Sequence, residues 1–428
     1  MSAAPRASAL NPGVARREVW AWAFYDFANS GYTTVVLTAV FNAYFVSVVA
    51  RNADWATFAW TAALSASYLV VMVIGPVLGA WSDAHAAKKL VLAVSTVVCI
   101  AGTVALAWTG PGAVAWAVAW IVVSNVAYSM GENLCAAFLP EIARPEALGK
   151  VSGWGWSLGY FGGILALGLS LAWVLTAPAR GSSSSEAVAG TLVITAAIYG
   201  LAALPTFLWL RERAVPAVVP GTRAALARLL ATARAARSYR DLLLVFACGV
   251  CYQAGVATVI ALAAIYAEQV MGFKTRDTIT LILVVNVTAA IGAFGFGYAQ
   301  DRIGKVSALR LTIWVWIAMT VIAYFSTTAA MFWVAANLAG LCMGSSQSAG
   351  RALVAYLSPP ERSAEFFGLW GVAVRLAAIL GPLSYGAVTW VTRGNHRLAI
   401  LITGAFFAVS LVFLAFVREA RGRARVAQ

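Results

Sequence analysis

Apolar runs of about 20 residues, separated by short polar punctuation, recur twelve times along the chain. Runs of that length match the roughly 30 Å hydrocarbon core of a bilayer when wound at about 1.5 Å per residue. They fall at 20–49, 56–82, 89–109, 112–138, 151–176, 188–210, 242–270, 278–299, 307–327, 330–357, 364–391 and 397–417. Between the sixth and seventh, "RERAVPAVVPGTRAALARLLATARAARSYRD" breaks the hydrophobicity with seven Arg, two Pro and one Gly. The pattern predicts an all-α integral membrane protein of twelve transmembrane helices. Residues 1–210 form an N-terminal six-helix bundle, 211–241 a connecting segment, and 242–428 a C-terminal six-helix bundle with a basic tail. Ala, Leu and spaced Arg from Thr222 to Arg237 predict an amphipathic helix lying in the membrane interface.

Composition agrees with the pattern. Of 428 residues, 62% are hydrophobic and 11% charged, against about 25% charged in soluble domains. The net charge of +14 gains its meaning from position. Twenty-two of the 30 Lys and Arg fall on one side of the predicted membrane, six on the other, and Arg351 and Arg375 inside spans. That bias places both termini in the cytoplasm. It accounts for the basic balance without a nucleic-acid surface, which needs its cations on one face of a soluble domain. The five Cys all lie in spans, and Cys248 and Cys251 have no His or third Cys near them. Two His, His85 and His396, sit near loops. No metal centre, cofactor or hydrolytic triad is expected, and the chain does not read as an enzyme. The Arg-bearing start runs into a span too long for a signal-peptide core, so no cleavable targeting segment is expected.

The two halves repeat. "GPVLGAWSDAHAAKK" follows span 2 and "GAFGFGYAQDRIGK" follows span 8; aligning Gly79 with Gly297 sets Asp83 on Asp301. After span 4, Pro145, Glu146 and Gly153 align with Pro360, Glu361 and Gly368 after span 10. Duplicated six-helix halves are a recurrent design of transporters. Glycines such as Gly75, Gly79 and Gly297 let helices approach closely. The aspartates are expected to cap the start of the next helix, with the following Lys or Arg, Arg302 among them, left at the headgroups. Turns of this kind, with Glu146 and Glu361, are expected to pin neighbouring helices in one state and release them in another.

Ionisable residues inside spans are costly and point to function. Asp26 lies in span 1, Glu132 in span 4, Arg351 in span 10 and Arg375 in span 11. At about 1.5 Å per residue, Asp26, Glu132 and Arg351 sit roughly 9 Å from the cytoplasmic boundary, and Arg375 roughly 16 Å in. Other polar residues share these helices: Tyr25, Asn29 and Tyr32 on one face of span 1, Asn125, Tyr128 and Asn133 on span 4, Gln253 on span 7 and Gln347 on span 10. The bland alternative for each Asn or Ser is helix-to-helix hydrogen bonding.

Twelve spans in two related halves with the duplicated turn resemble the major facilitator superfamily. Within it, "WAFYDFANSGY" is similar to the W-x-L-Y-D-W-A-N-S-A-Y signature of the vacuolar amino-acid-effluxer-like branch, once called the unknown major facilitator group. Phe27 replaces the usual Trp, Gly31 the usual Ala, and Arg375 stands where the branch often has Lys. "LPEIARPEALGKVSGWGWSLGYFGGIL" and "YLSPPERSAEFFGLWGVAVRLAAILGP" agree with the same branch. The resemblance implies that spans 1, 4, 7 and 10 line a central cavity, across which acids of the first half face an Arg of the second, an arrangement suited to a salt bridge that closes the cytoplasmic side and breaks on opening. It also implies alternating access, export or exchange of a small polar solute with an amino acid as first candidate, and a monomer in the bilayer. Protons are a candidate coupling ion: Asp26 can meet an ammonium group or carry a proton, Glu132 is the other candidate carrier, and Arg351 or Arg375 can meet a carboxylate. The Arg- and Ala-rich composition implies a bacterial plasma membrane. Efflux of amphipathic drugs or lipids is the alternative substrate class, and a receptor without transport the alternative of another kind.

Overall fold

The computed structural model describes residues 9–53, 55–214, 239–273, 275–393 and 395–426. Twelve helices among them are long and apolar enough to cross a membrane. The first span, α1, runs Arg16–Val49. It is followed by α2 (Ala56–His85), α3 (Lys88–Leu106), α4 (Val114–Ala137), α5 (Leu148–Leu175) and α6 (Ser184–Trp209). The second six are α7 (Arg240–Gln269), α8 (Thr275–Ile303), α9 (Lys305–Phe325), α10 (Ala329–Leu357), α11 (Ser363–Val391) and α12 (His396–Ala415). A short α13 (Glu419–Val426) ends the described chain. The interfacial helix expected from Thr222 to Arg237 lies outside the described residues.

Packing repeats with a period of six helices. In the first half α1 packs on α5 and α6, α2 on α4, and α3 on α4 and α6. In the second, α7 packs on α11 and α12, α8 on α10, and α9 on α10 and α12. The halves meet mainly along α2 with α11 and α5 with α8. Buried aromatic side chains such as Trp22, Tyr199 and Trp316 fill the interiors of the bundles, whereas Leu69, Val73, Leu90, Leu201 and Leu383 are exposed along the helices. An apolar exterior around hydrogen-bonded helices is what a hydrocarbon solvent selects.

Helix α1 is not a plain α-helix. Beyond Gly31 it becomes π-helical over Tyr32–Ala39 and again over Phe45–Val49. Thr33 and Thr34 donate to the Ser30 carbonyl, and Thr38 to that of Thr33 five residues back. Hydroxyls bonding back to the backbone compete with the regular ladder, and wider turns of this kind recur at functional sites.

Helices α2 and α8 each run past the predicted end of the span, so Asp83 and Asp301 lie in the last helical turn rather than in a loop. Helix α2 stops where Ala86 turns left-handed at φ 50°. After α8, Gly304 takes φ 90°, a conformation open to glycine and costly to other residues.

Candidate functional site

The duplicated aspartates do the opposite of what their position predicts. Neither caps the next helix; each reaches into the other half. Asp83 accepts from the backbone N–H groups of Ala364 (3.3 Å) and Glu365 (2.8 Å), at the start of α11. Asp301 accepts from those of Gly149 (3.0 Å) and Lys150 (2.8 Å), at the start of α5. A helix N-terminus has unpaired N–H groups and the positive end of its dipole, so a carboxylate is held by both. The reason lies in the helix: in the last turn the side chain projects sideways, toward the neighbour, instead of along its own axis.

Close approach makes this reach feasible. A Cβ on Gly79 would strike the Ala364 carbonyl, and one on Gly153 would strike Ala293 and Gly297. Gly75 meets Gly368 across the same boundary. The helix starts that the aspartates leave open are capped by acids from each half's own end. Glu212, just after α6, accepts from the N–H groups of Lys88 and Lys89 at 2.8 and 3.1 Å. Glu419, in α13, accepts from Val306 at 2.6 Å. The symmetry continues in Arg213 on Glu18 of α1 and Arg421 on Asp241 of α7.

Two of the cations after the aspartates, Lys88 and Lys305, are buried rather than at the headgroups. Lys88 is fully buried, 3.5 Å from Asp83, paired with Glu141 and 3.2 Å from the Ser363 hydroxyl. Lys305 is buried too, 3.6 Å from Asp301 and over the Tyr356 ring. An ammonium beside a carboxylate is cheaper to bury than either charge alone, which overrides the pull of the interface. Arg302, expected at this turn, is exposed, as are Glu146 and Glu361.

Deeper in the bundle, two acid–arginine pairs bridge the halves. Asp26 of α1 meets Arg351 of α10 at 2.6 Å, a charge contact without hydrogen-bond alignment. Arg351 also donates to the Ser152 hydroxyl and carbonyl of α5, both at 3.1 Å. Its guanidinium lies over the rings of Trp22 (4.9 Å) and Trp156 (5.2 Å). The arginine of one half is thus enclosed in the other. Glu132 of α4 pairs with Arg375 of α11 at 2.7 Å, and the Tyr68 ring lies 5.5 Å from that guanidinium.

The remaining polar candidates divide. Gln253 and Gln347 exchange two amide hydrogen bonds, 2.8 and 3.2 Å, joining α7 to α10. Tyr32 bonds Ser124 and stacks on Tyr128; Asn125 bonds Ser67. Asn29 and Asn133 are buried. Tyr25, expected beside Asp26, points instead into the first bundle, bonded to Thr96 and Tyr199. Successive helical residues diverge by about 100°, so Tyr25 and Asp26 serve different neighbours.

Sequence reasoning misses Trp22, Trp156 and Ser152 around Arg351, Tyr68 beside Arg375, and Lys88, Glu141 and Glu212 at the clasp. Lys88 has a signal in the sequence, since it follows Asp83 by five residues as Lys305 follows Asp301 by four. Among the described residues no cluster of His, Cys, Asp and Glu fits a metal ion.

Comparison with known proteins places this arrangement. Residues 42–427 match the family described as "Vacuole effluxer Atg22 like". The chain is 29% identical over 409 residues to the uncharacterized MFS-type transporter YxiO of Bacillus subtilis, spanning 93% of this chain and 94% of that protein. It is 22% identical over 302 residues to autophagy-related protein 22-1 of Aspergillus fumigatus, spanning 64% of this chain and 49% of the relative, about half its length. In fold it is similar to the human organic anion transporter MFSD10 (TETRAN), with a TM-score of 0.71 at 15% identity, covering 93% of this chain and 99% of that one.

Proposed function

The chain belongs to the Atg22-like vacuole effluxer family, and on that premise we propose that it carries a small polar solute by alternating access, with an amino acid as the first candidate. It is an MFS-type transporter, an integral membrane protein whose relatives are transporters rather than enzymes. The observation that carries the reading is the make-up of the seam between the halves. At the end bearing the termini it is closed by carboxylates on helix N-termini and by ion pairs, contacts that water and charge can replace. Beside the close glycine packing of these helices, such exchangeable contacts suit a seam that parts. With the termini in the cytoplasm, as the basic residues argue, the sealed side is the cytoplasmic one. The protein then works as a monomer in a bacterial plasma membrane.

Proton coupling belongs to the same reading. Of the two bridging acids, Glu132 is the more accessible, its side chain 31% exposed against 11% for Asp26, so it can exchange a proton with water. The test is uptake and counterflow of labelled amino acids in proteoliposomes, with and without a pH gradient, for the wild type beside Asp83→Asn. Saturable flux that the substitution alters supports the reading. Absence of flux for every amino acid, from protein shown to be folded, removes the amino-acid assignment and turns the test to amphipathic solutes.

A further inference from the structure

The two intramembrane arginines are held in different ways. Arg351 has Ser152 on its Nε and Nη2, Asp26 beside it and the rings of Trp22 and Trp156 close by. Arg375 makes one hydrogen bond, from Nη2 to Glu132, while its Nε is buried with no partner. Asn133, the residue after Glu132, has a buried amide nitrogen that is also unpartnered. That amide lies against Gly371, one turn before Arg375 on α11. Both residues are more than nine-tenths buried, at 8% and 9% exposure. Glu132 beside them is the open member of the group.

A buried donor without an acceptor costs about 1–3 kcal/mol, so two together ask what satisfies them. A guanidinium presents Nε and one Nη as a parallel fork matched to the two oxygens of a carboxylate. Glu132 uses a single prong of that fork. We propose that Arg375 and Asn133 form the site for the carboxylate of the transported solute, and that Glu132 is an internal carboxylate holding Arg375 until the solute displaces it. A solute carboxylate bridging Nε and Nη2, with the Asn133 amide on one oxygen, satisfies three donors where Glu132 satisfies one. Glu132 is released into the water that already reaches its side chain. The enclosed Asp26–Arg351 pair is then the latch, and the substrate class is a small carboxylate-bearing solute. This deepens the transport reading and rests on it for the solute's being carried.

The first test does not need transport. Melting temperatures of the purified full-length protein are compared in sodium acetate and in sodium chloride of equal ionic strength. The variants are Glu132→Gln, Asp26→Asn and the double variant Glu132→Gln with Arg375→Gln. Removing the internal competitor frees Arg375, and apparent affinity rises with the fraction of competent sites. Acetate is expected to raise the melting temperature of Glu132→Gln by about 2 °C or more and to leave the other two unchanged. No rise in Glu132→Gln, or an equal rise in Asp26→Asn, overturns the proposal. Should Glu132→Gln not fold, Glu132→Asp, whose shorter carboxylate draws back from Arg375, must show the same acetate effect at smaller amplitude or the proposal falls. Counterflow of L-leucine against L-leucinamide separates the two readings. Equal flux of acid and amide sinks the carboxylate site and leaves transport standing. Acetate rescue without flux of either solute leaves the site standing and sinks the amino-acid reading.

Discussion

The clasp at Asp83 and the clasp at Asp301 are copies of one device set at different depths. Both place a carboxylate on two N–H groups of the opposite half, with a lysine close behind. The side chain of Asp83 is 1% exposed and that of Asp301 13%. Lys88 reaches across the seam to Ser363 and ties in Glu141; Lys305 lies over Tyr356 of its own half. Duplication thus preserved the motif and not its energetics. The first copy is a desolvated network in which each charge depends on the others, and the second is a shallower contact that water can support.

The largest expected effect follows from that dependence. Lys88→Ala leaves Asp83 and Glu141 buried without their cation, and breaking a buried pair from one side costs about 3–5 kcal/mol. Lys305→Ala, beside a wetter carboxylate, is expected to cost less than Lys88→Ala, because water can reach the carboxylate it leaves behind. Thermal unfolding in detergent compares the two, and equal losses would erase the distinction between the clasps. Next come Asp83→Asn and Asp301→Asn, which keep an acceptor and lose the charge. Hydrogen bonds to charged groups exceed neutral ones by about 1–2 kcal/mol, so Asp83→Asn is expected to shift the population away from the sealed state by about tenfold. The shift expected for Asp301→Asn is smaller. Thiol labelling of Ser348→Cys, whose carbonyl receives the Ser152 hydroxyl across the seam, reads both; a larger gain in the Asp301 variant reverses the ranking.

Much of this architecture is legible in the order of residues alone. The twelve spans follow from run length, with ends displaced by only a few residues, because hydrocarbon thickness sets how long each helix must be. The opposed acids and arginines stand out as rare charges inside spans, and that they face each other across the halves is what the family resemblance implies. What cannot be read is which neighbour a side chain meets. Sequence shows Asp83 only the next helix, α3, as a start to cap, whereas α11 begins 280 residues further on. Lys88 reads as a headgroup cation because a lysine after a span is ambiguous until its partners, Asp83 and Glu141, are in place. Adjacency groups Tyr25 with Asp26, although the helix turns them to different bundles. The shape of the Trp22 and Trp156 enclosure depends on three helices and has no periodic signature.

The smallest effects probe the turns beneath the clasps. Ala86 and Gly304 occupy equivalent places after α2 and α8, and both have positive φ, 50° and 90°. A non-glycine residue in the left-handed region carries roughly 1–2 kcal/mol of strain. Ala86→Gly removes that strain and loosens the unfolded chain, two terms that oppose each other. The expected net is a gain of about 0.5–1 kcal/mol, seen as a small rise in melting temperature. Gly304→Ala is expected to do the reverse and by more, since its conformation is one that alanine scarcely enters. Glu419, whose carboxylate lies 3.2 Å from a Cβ built on Gly304, would be crowded as well, so the Val306 cap should weaken together with the turn. If Ala86→Gly lowers the melting temperature, the left-handed turn is held by its contacts rather than borne as strain. The weaker second clasp would then owe its character to depth alone, and not to a turn better suited to its residue.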